Sequence, residues 1–157
     1  MDIIESEKLI HPCQRGFQRN SSTTDQLINV KTIIDQYLKK GKQIFTCTLD
    51  IKNAYGSVIH EKLDVLLGRY GFGNSIRETI RNMITSHSIQ IQANNSRSKS
   101  FNSTLGVPQG DPSSPLLFNI YINILTNVIK RFRGVRFNKT KVVLLLYADS
   151  DIIVLSD

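Results

Sequence analysis

Two short apolar runs near the end of the chain, Val142–Tyr147 and Ile152–Leu155, flank the segment Ala148-Asp149-Ser150-Asp151. Runs of this length, rich in valine, isoleucine and leucine, are typical of buried strands. The short polar segment between them predicts a turn. The sequence therefore predicts a hairpin with two carboxylates at its turn.

The rest of the chain alternates between helix and strand patterns. The run Ser22-Thr23-Thr24-Asp25 supplies N-cap chemistry for a helix that ends at Gly41, and its predicted apolar face consists of Leu27, Val30, Ile34 and Leu38. Ile44–Ile51 predicts a strand with Asp50 on the face opposite its apolar side chains. Further helices are predicted at His60–Arg69, Ser75–Ser86 and Pro115 to about Arg131, and a hairpin pairs Ser88–Gln92 with Lys99–Leu105. The pattern indicates an α+β fold with a mainly antiparallel sheet backed by helices.

Composition narrows the class of protein. The 157 residues fit one domain. No apolar run reaches the length of about 18 residues that spans a bilayer, so we expect no membrane partner. Two cysteines, Cys13 and Cys47, cannot form a disulfide framework, and they indicate a reduced intracellular protein.

The charge of the chain is unevenly distributed. Twenty Lys and Arg against thirteen Asp and Glu give a net charge of +7. Six of these bases fall within one short stretch: Lys130, Arg131, Arg133, Arg136, Lys139 and Lys141. A polyanion is the natural partner of such a stretch, and the alternative is an ordinary solvated basic loop.

Three acids, Asp50, Asp149 and Asp151, are the first candidates for chemistry. Asp50 ends one predicted strand, and the other two lie in the hairpin turn. If these strands are neighbours, the carboxylates converge at one edge of the sheet, where their mutual repulsion favours a bound cation. Magnesium prefers such oxygen ligands, and two ions about 4 Å apart suit phosphoryl transfer. The alternative is that each acid only caps or solvates a turn.

Three motifs occur in order around these acids. They are Asp50-Ile51-Lys52-Asn53-Ala54-Tyr55, the Gly-x-x-Gln-Gly turn that begins at Gly106, and Tyr147-Ala148-Asp149. Together they resemble the palm motifs of reverse transcriptases, most closely those of non-LTR retrotransposons and more distantly those of group II introns. Upstream, Gln14-Arg15-Gly16-Phe17 and Ser22-Thr23-Thr24-Asp25-Gln26 resemble the fingers segment of the same retrotransposon enzymes. The resemblance extends from about Pro12 to Leu155.

The resemblance implies a right-hand polymerase fold in which residues 1–157 are a partial reverse transcriptase domain of fingers and palm. In such an enzyme Asp50 and Asp149 hold two Mg²⁺ ions, for which Mn²⁺ can substitute, with the Ile51 carbonyl nearby. The implied reaction is RNA-directed DNA synthesis, in which a primer 3′-hydroxyl attacks the α-phosphate of a dNTP and releases pyrophosphate. The implied partners are an RNA template, a DNA primer and a dNTP, and a retrotransposon origin implies a nuclear location.

Further residues acquire roles at the nucleotide from the same resemblance. Tyr55 would lie under the sugar, where a bulky ring leaves no room for a 2′-hydroxyl. Gly106 and Gly110 would let the backbone approach template and nucleotide, because they lack a Cβ atom, and Gln109 would line that pocket. Arg19 is the fingers base best placed to contact the triphosphate.

The chain also departs from the family pattern. In reverse transcriptases the acid that corresponds to Asp149 is usually followed directly by a second acid. This chain has Ser150 in that place and then Asp151. Because successive side chains of a strand point to opposite faces, Asp151 replaces the missing acid only if the turn bulges. The chain stops at Asp157, so we expect the thumb to be absent, the last hairpin to present an unpaired edge, and the isolated chain to have little activity.

Two other hypotheses remain open. In the first, the chain is a decayed retrotransposon remnant that binds nucleic acid through residues 130–141 without catalysis. The second, a metal-dependent phosphoesterase, is weaker because His11, His60 and His87 are scattered along the sequence and form no ligand cluster. Primer extension on an RNA template separates the polymerase from the remnant.

Overall fold

The structure is a computed structural model that describes residues 9–129, 131–148 and 151–157, with residue 151 described by its backbone. It divides into two compact units, the first containing the chain up to Lys52 and Ile122–Asp157, the second containing Asn53–Tyr121. The helices are α1 (Thr23–Lys39), α2 (His60–Arg69), α3 (Asn74–Thr85), α4 (Ser114–Ile122) and α5 (Leu125–Ile129), with a 3₁₀ turn at Tyr55–Ser57. The strands are β1 (Phe45–Leu49), β2 (Ser88–Ile89), β3 (Gln92–Ala93), β4 (Ser96–Arg97), β5 (Phe101–Asn102), β6 (Val135–Phe137), β7 (Thr140–Val142), β8 (Leu144–Tyr147) and β9 (Asp151–Ser156). No described helix is long and apolar enough to cross a bilayer.

A three-stranded antiparallel sheet in the order β1–β9–β8 is the centre of the first unit. The side chains of β8 and β9 alternate between its two faces, as the period of a strand requires. On one face Leu145 and Leu155 pack with Ile33 and Tyr37 of α1. The other face buries a second cluster formed by Leu144, Leu146 and Ile152. Apolar groups therefore cover both faces of this hairpin, which explains its nearly continuous apolar sequence.

Strand β9 lies in the middle of the sheet, paired with β1 on one side and β8 on the other. The expectation that the last hairpin presents an unpaired edge therefore holds only on its β8 side, because β8 is the outer strand of the sheet. Even there, Gln14 forms a parallel bridge with Leu146. A local sequence pattern could not predict these pairings, because β1 and Gln14, the partners of the two hairpin strands, lie far from the hairpin in the sequence.

Helix α1 begins where its capping residues predict. Ser22 accepts a hydrogen bond from the backbone of Asp25, whose carboxylate accepts one from the backbone of Ser22, so the two form a capping box. The buried face differs from the predicted one: it contains Gln26, Ile33 and Tyr37, whereas the predicted Leu27 and Leu38 are exposed. Tertiary packing against the sheet, not the most regular apolar spacing, sets the orientation of this helix.

The second unit contains α2 and α3, two short β ladders and most of α4. Leu63 and Leu67 of α2 and Ile84 of α3 are buried within it. The ladders pair β2 with β5 and β3 with β4, as the predicted hairpin requires, and Asn94 at the turn has φ +51°. Every residue of these four strands is exposed.

The predicted long helix from Pro115 is two helices, α4 and α5, separated at Asn123. The Asn123 side chain accepts a hydrogen bond from the His11 backbone at 3.0 Å and donates one to the Leu9 carbonyl at 2.9 Å. The backbone carbonyl of Asn123 accepts a hydrogen bond from the hydroxyl of Thr126 at 2.7 Å. These bonds tie the N-terminal segment of the first unit to the point at which the helix is interrupted.

Candidate active site

The end of the central sheet collects the acid-bearing segments of the first unit. Leu49, the last residue of β1, lies opposite Ile152, and Tyr147, the last residue of β8, lies opposite Asp151. Asp50 therefore follows β1 at the end of the sheet where β9 begins. This pairing confirms the prediction that the strand before Asp50 and the acidic hairpin are neighbours. Asp149 and Ser150 lie outside the described residues, as does the side chain of Asp151.

Asp50 itself is exposed and has no hydrogen-bond or ion-pair partner among the described residues. Ile51, directly after it, is partly buried against the cluster on the second face of the sheet. The apolar packing of Ile51 fixes the chain beside Asp50, while the carboxylate remains available to a ligand. An exposed carboxylate at this sheet end is a donor of the type that a hard divalent cation prefers.

The sheet end is also held by a segment whose importance the sequence reasoning missed. Cys13 and Arg15 exchange backbone hydrogen bonds with Leu146 at 2.8 and 2.9 Å. The side chains of Gln14 and Gln26 are buried here and bond to the backbone of β8 and the residue after it. The available signal was the Gln-Arg-Gly-Phe motif, which the resemblance identified without giving its glutamine a role. Arg19 lies in the exposed turn between this segment and α1.

In the second unit, Tyr55 lies beside the Gly-x-x-Gln-Gly turn. Its ring stacks on Phe118 of α4, with ring centroids 5.2 Å apart and planes inclined by 27°. Its carbonyl accepts a hydrogen bond from Val107 at 2.9 Å. The structure therefore brings Tyr55 next to the backbone of the turn.

Gly106 allows this turn to approach the segment after Tyr55. It has φ +87°, and a Cβ atom at this position would lie 2.8 Å from Cα of Gly56. Its backbone N–H donates to Val58 at 2.7 Å, and its carbonyl lies 2.7 Å from Nε2 of the buried His60. The two glycines thus pack backbone against backbone, and His60 has a structural contact here rather than a place in a ligand cluster.

Gln109 and Gly110 occupy the exposed end of the same turn, where Gly110 has φ +88°. Gln109 is one lining residue of a cleft of about 460 Å³ that Gly56, Gly106 and Pro108 also line. The turn leads into α4 through Asp111, whose carboxylate accepts from the backbone and hydroxyl of Ser113 at 2.8 and 2.6 Å. These two hydrogen bonds lower the pKa of Asp111, because they favour its charged form.

The basic stretch forms a hairpin of β6 and β7, which the sequence reasoning did not predict. Val135 anchors it in the core, and the backbone N–H of Arg136 donates to the hydroxyl of Tyr37 at 2.7 Å. Positive φ values at Asn138 and Lys139 make the turn between the strands. Lys130 lies outside the described residues, and the other five bases of the stretch are exposed. The hairpin therefore presents a positively charged surface with a fixed backbone.

Comparison with known proteins identifies the family. The model of the family described as "Reverse transcriptase (RNA-dependent DNA polymerase)" matches residues 1–157. The chain belongs to the reverse transcriptase family. Reverse transcriptases generally use divalent metal ions.

Curated relatives of this chain include Pol polyproteins of R2 retrotransposable elements. One from Popillia japonica is 26% identical over 157 residues, which is 98% of this chain and 22% of that protein. One from Drosophila melanogaster is 25% identical over 138 residues, which is 88% of this chain and 13% of that protein. The chain thus spans about a fifth or less of the length of these relatives.

Solved structures share the fold of this chain. An apo telomerase from Candida tropicalis superposes with a TM-score of 0.66 at 17% identity, covering 99% of this chain and 31% of that one. A telomerase from the same organism, in complex with the TWJ fragment of telomeric RNA, gives a TM-score of 0.68 at 16% identity over 99% of this chain and 26% of that one. These matches confirm the predicted α+β polymerase fold.

Proposed function

We propose that the chain carries out RNA-directed DNA synthesis, adding dNTPs to a primer 3′-hydroxyl as directed by an RNA template. Residues 1–157 would form the fingers and palm of the polymerase. The observation that carries the proposal is the pairing of Leu49 with Ile152, which places Asp50 at the same sheet end as the acidic hairpin. Membership of the reverse transcriptase family supports the same reaction.

Asp50, Asp149 and the Ile51 carbonyl would hold two Mg²⁺ ions at this end of the sheet, and Mn²⁺ would substitute. The exposed carboxylate of Asp50 fits this role, because it has no partner among the described residues. When bound, the ions would offset the charge of the phosphates and of the oxygens that exchange at the reacting phosphorus. Asp151 would supply a third carboxylate close to the start of β9.

The remaining site residues would select and hold the nucleotide. The Tyr55 ring, fixed by its stacking on Phe118, would exclude a 2′-hydroxyl. Gly110 and Gln109 lie exposed at the end of a turn whose backbone is already fixed, so they would contact the nucleotide or template with little loss of conformational freedom. Arg19 would donate charge-assisted hydrogen bonds to the triphosphate.

The test is primer extension on an RNA template by the protein at its natural full length, with Mg²⁺ and Mn²⁺ in separate reactions. We expect Asp50→Asn to lower kcat by roughly two to three orders of magnitude, because it removes one metal-binding charge. Asp35→Asn is the matched control, since Asp35 is an exposed acid of α1 paired with Lys31, and it should retain full activity. Full activity in Asp50→Asn, or a folded wild type that extends no primer with either ion, would disprove the proposal.

Binding of nucleic acid without catalysis is the second candidate. The exposed bases of the β6–β7 hairpin favour it, and so does Ser150 in place of the usual second acid. Arg136→Gln combined with Lys139→Gln should weaken RNA binding and reduce its dependence on log salt by about two units of slope. Lys62→Gln with Lys99→Gln, two exposed lysines of the second unit, is the control. Salt-dependent binding without incorporation would favour this candidate over the polymerase.

A further inference from the structure

Gln14 is a buried polar residue whose side-chain hydrogen bonds all run to backbone groups. Its side chain is among the most deeply buried of the described residues, with a relative exposure of 2%. Oε1 accepts from the N–H of Gly16 at 2.8 Å and from the N–H of Ala148 at 2.9 Å. Nε2 donates to the carbonyl of Ala148 at 3.4 Å. The amide of one side chain thus pairs with both polar backbone groups of a residue 134 positions away.

Ala148 needs such support because of its backbone conformation. Its φ is +56°, in the left-handed region that residues other than glycine, asparagine and aspartate seldom adopt. A conformation of this kind persists only where the surroundings fix it, and it is common at functional sites. Ala148 is also the residue directly before Asp149, so its dihedral angles set the direction in which the chain continues to that acid.

The segment around Gln14 packs closely against the end of β8 and against Ala148. Its backbone pairs with Leu146, whose carbonyl also accepts from Nε2 of Gln26 at 3.1 Å. A Cβ atom on Gly16 would lie 2.1 Å from the nitrogen of Ala148, so only glycine permits the approach. Gln14 and Gly16 therefore act on the same residue. The glutamine binds the backbone of Ala148, and the glycine leaves room for that backbone.

We propose that Gln14 is a positioning residue: its side-chain amide holds Ala148 in the left-handed conformation and thereby fixes the approach of the chain to Asp149. The proposal rests on the proposed function, in which Asp149 holds a divalent ion. It differs from a purely structural role in one respect. The support that Gln14 gives should become unnecessary when residue 148 can take a positive φ without strain.

The experiment compares wild type, Gln14→Met, Ala148→Gly and the double variant in the protein at its natural full length. Methionine has a similar length and keeps the buried volume but can form none of the three hydrogen bonds. The measurements are hydrogen exchange of the residue 148 amide by NMR, Mn²⁺ affinity by EPR, and kcat and KM for dNTP. Gln36→Ala is the control, because Gln36 lies in the same unit and its buried Oε1 has no partner among the described residues.

Gln14→Met should speed exchange at residue 148 by about tenfold, because the hydrogen bond that protects this amide is lost. It should also weaken Mn²⁺ binding and lower kcat, each by about tenfold, with KM for dNTP nearly unchanged. Ala148→Gly in the Gln14→Met background should restore most of the Mn²⁺ affinity and kcat, since glycine adopts positive φ readily. Gln36→Ala should match wild type in all three measurements.

Wild-type exchange and Mn²⁺ affinity in Gln14→Met would overturn the proposal, as would a loss that Ala148→Gly fails to restore. If Gln14→Met alone does not fold, recovery of folding in the double variant supports the proposal, and failure of both to fold overturns it. A wild type that binds no Mn²⁺ and extends no primer would refute the proposed function itself. An active wild type that is insensitive to Gln14→Met would refute this inference alone.

Discussion

Tyr55 would be the residue on which sugar selection depends in the proposed polymerase. Stacking on Phe118 and the hydrogen bond from Val107 hold both its ring and its backbone. Tyr55→Val removes the ring, so incorporation of ribonucleotides relative to deoxynucleotides should rise by roughly ten- to a hundredfold. Single-nucleotide extension with matched dNTP and rNTP measures this ratio. An equal fall in both rates would show instead that the ring only supports the fold.

The two cysteines should differ in reactivity. Burial raises the pKa of the Cys13 thiol to about 11, whereas Cys47 is exposed on β1. At about pH 8 only about one Cys13 in a thousand is then a thiolate, which is the reactive form. We expect iodoacetamide to label Cys47 rapidly and Cys13 slowly in the folded chain, as followed by mass spectrometry. Cys47→Ser should leave a chain that labels slowly until denatured, and rapid labelling of that variant would contradict the packing around Cys13.

Helices α2 and α3 are joined through one carboxylate. Asp64 accepts from Nε of Arg77 at 3.0 Å and lies 2.9 Å from Nη2 of Arg81. The hydrogen bond from Arg77 is the main cause that holds the pKa of Asp64 below its ordinary value. The unfolded chain keeps the ordinary value, so this contribution to stability is present above that pKa and is lost as the pH falls through the lowered one.

Asp64→Asn should therefore lower Tm by about 2–4 °C near neutral pH, and the difference from wild type should shrink in acid. Thermal unfolding by circular dichroism at pH about 7 and about 2 checks this. Asp35→Asn, which removes an exposed ion pair with Lys31, should change Tm little. A loss for Asp64→Asn that is the same at both pH values would rule out the carboxylate as its source.

Some features of these elements could be predicted from local sequence patterns, and others could not. The N-cap residues that begin at Ser22 and the apolar runs of β8 and β9 are local signals, and the structure confirms both. The exposure of β1 and the burial of Gln14 depend on pairings between segments about a hundred or more residues apart. No local periodicity encodes such pairings, so an apolar face was expected for β1 and no role was found for Gln14. Of the candidate site, the sequence identified Asp50 and Tyr55 through motifs, but not the bonds that hold their surroundings.

In the proposed polymerase, metal binding should be linked to folding. Asp50, Asp149 and Asp151 would bring their carboxylates together at one sheet end, where they would repel one another, and a bound cation would relieve that repulsion. Millimolar Mg²⁺ or Mn²⁺ should therefore raise the Tm of the wild type by about 2–4 °C. Asp50→Asn should raise the metal-free Tm and abolish the gain with metal, and Asp35→Asn should behave as wild type in differential scanning fluorimetry. An equal gain with metal in Asp50→Asn would place the ions elsewhere.

The position of β1 has a consequence for how such a polymerase would fail. Among the described strands, β1 has a neighbour on one side only, and all of its residues are exposed, whereas β9 is enclosed by two partners. Fraying should therefore start at β1, which is the strand that leads to Asp50, while the β8–β9 hairpin remains intact. Mild denaturation would then abolish catalysis before the whole chain unfolds. The strand that leads to one of the proposed ion-binding acids would detach from the sheet more easily than the hairpin that carries the others.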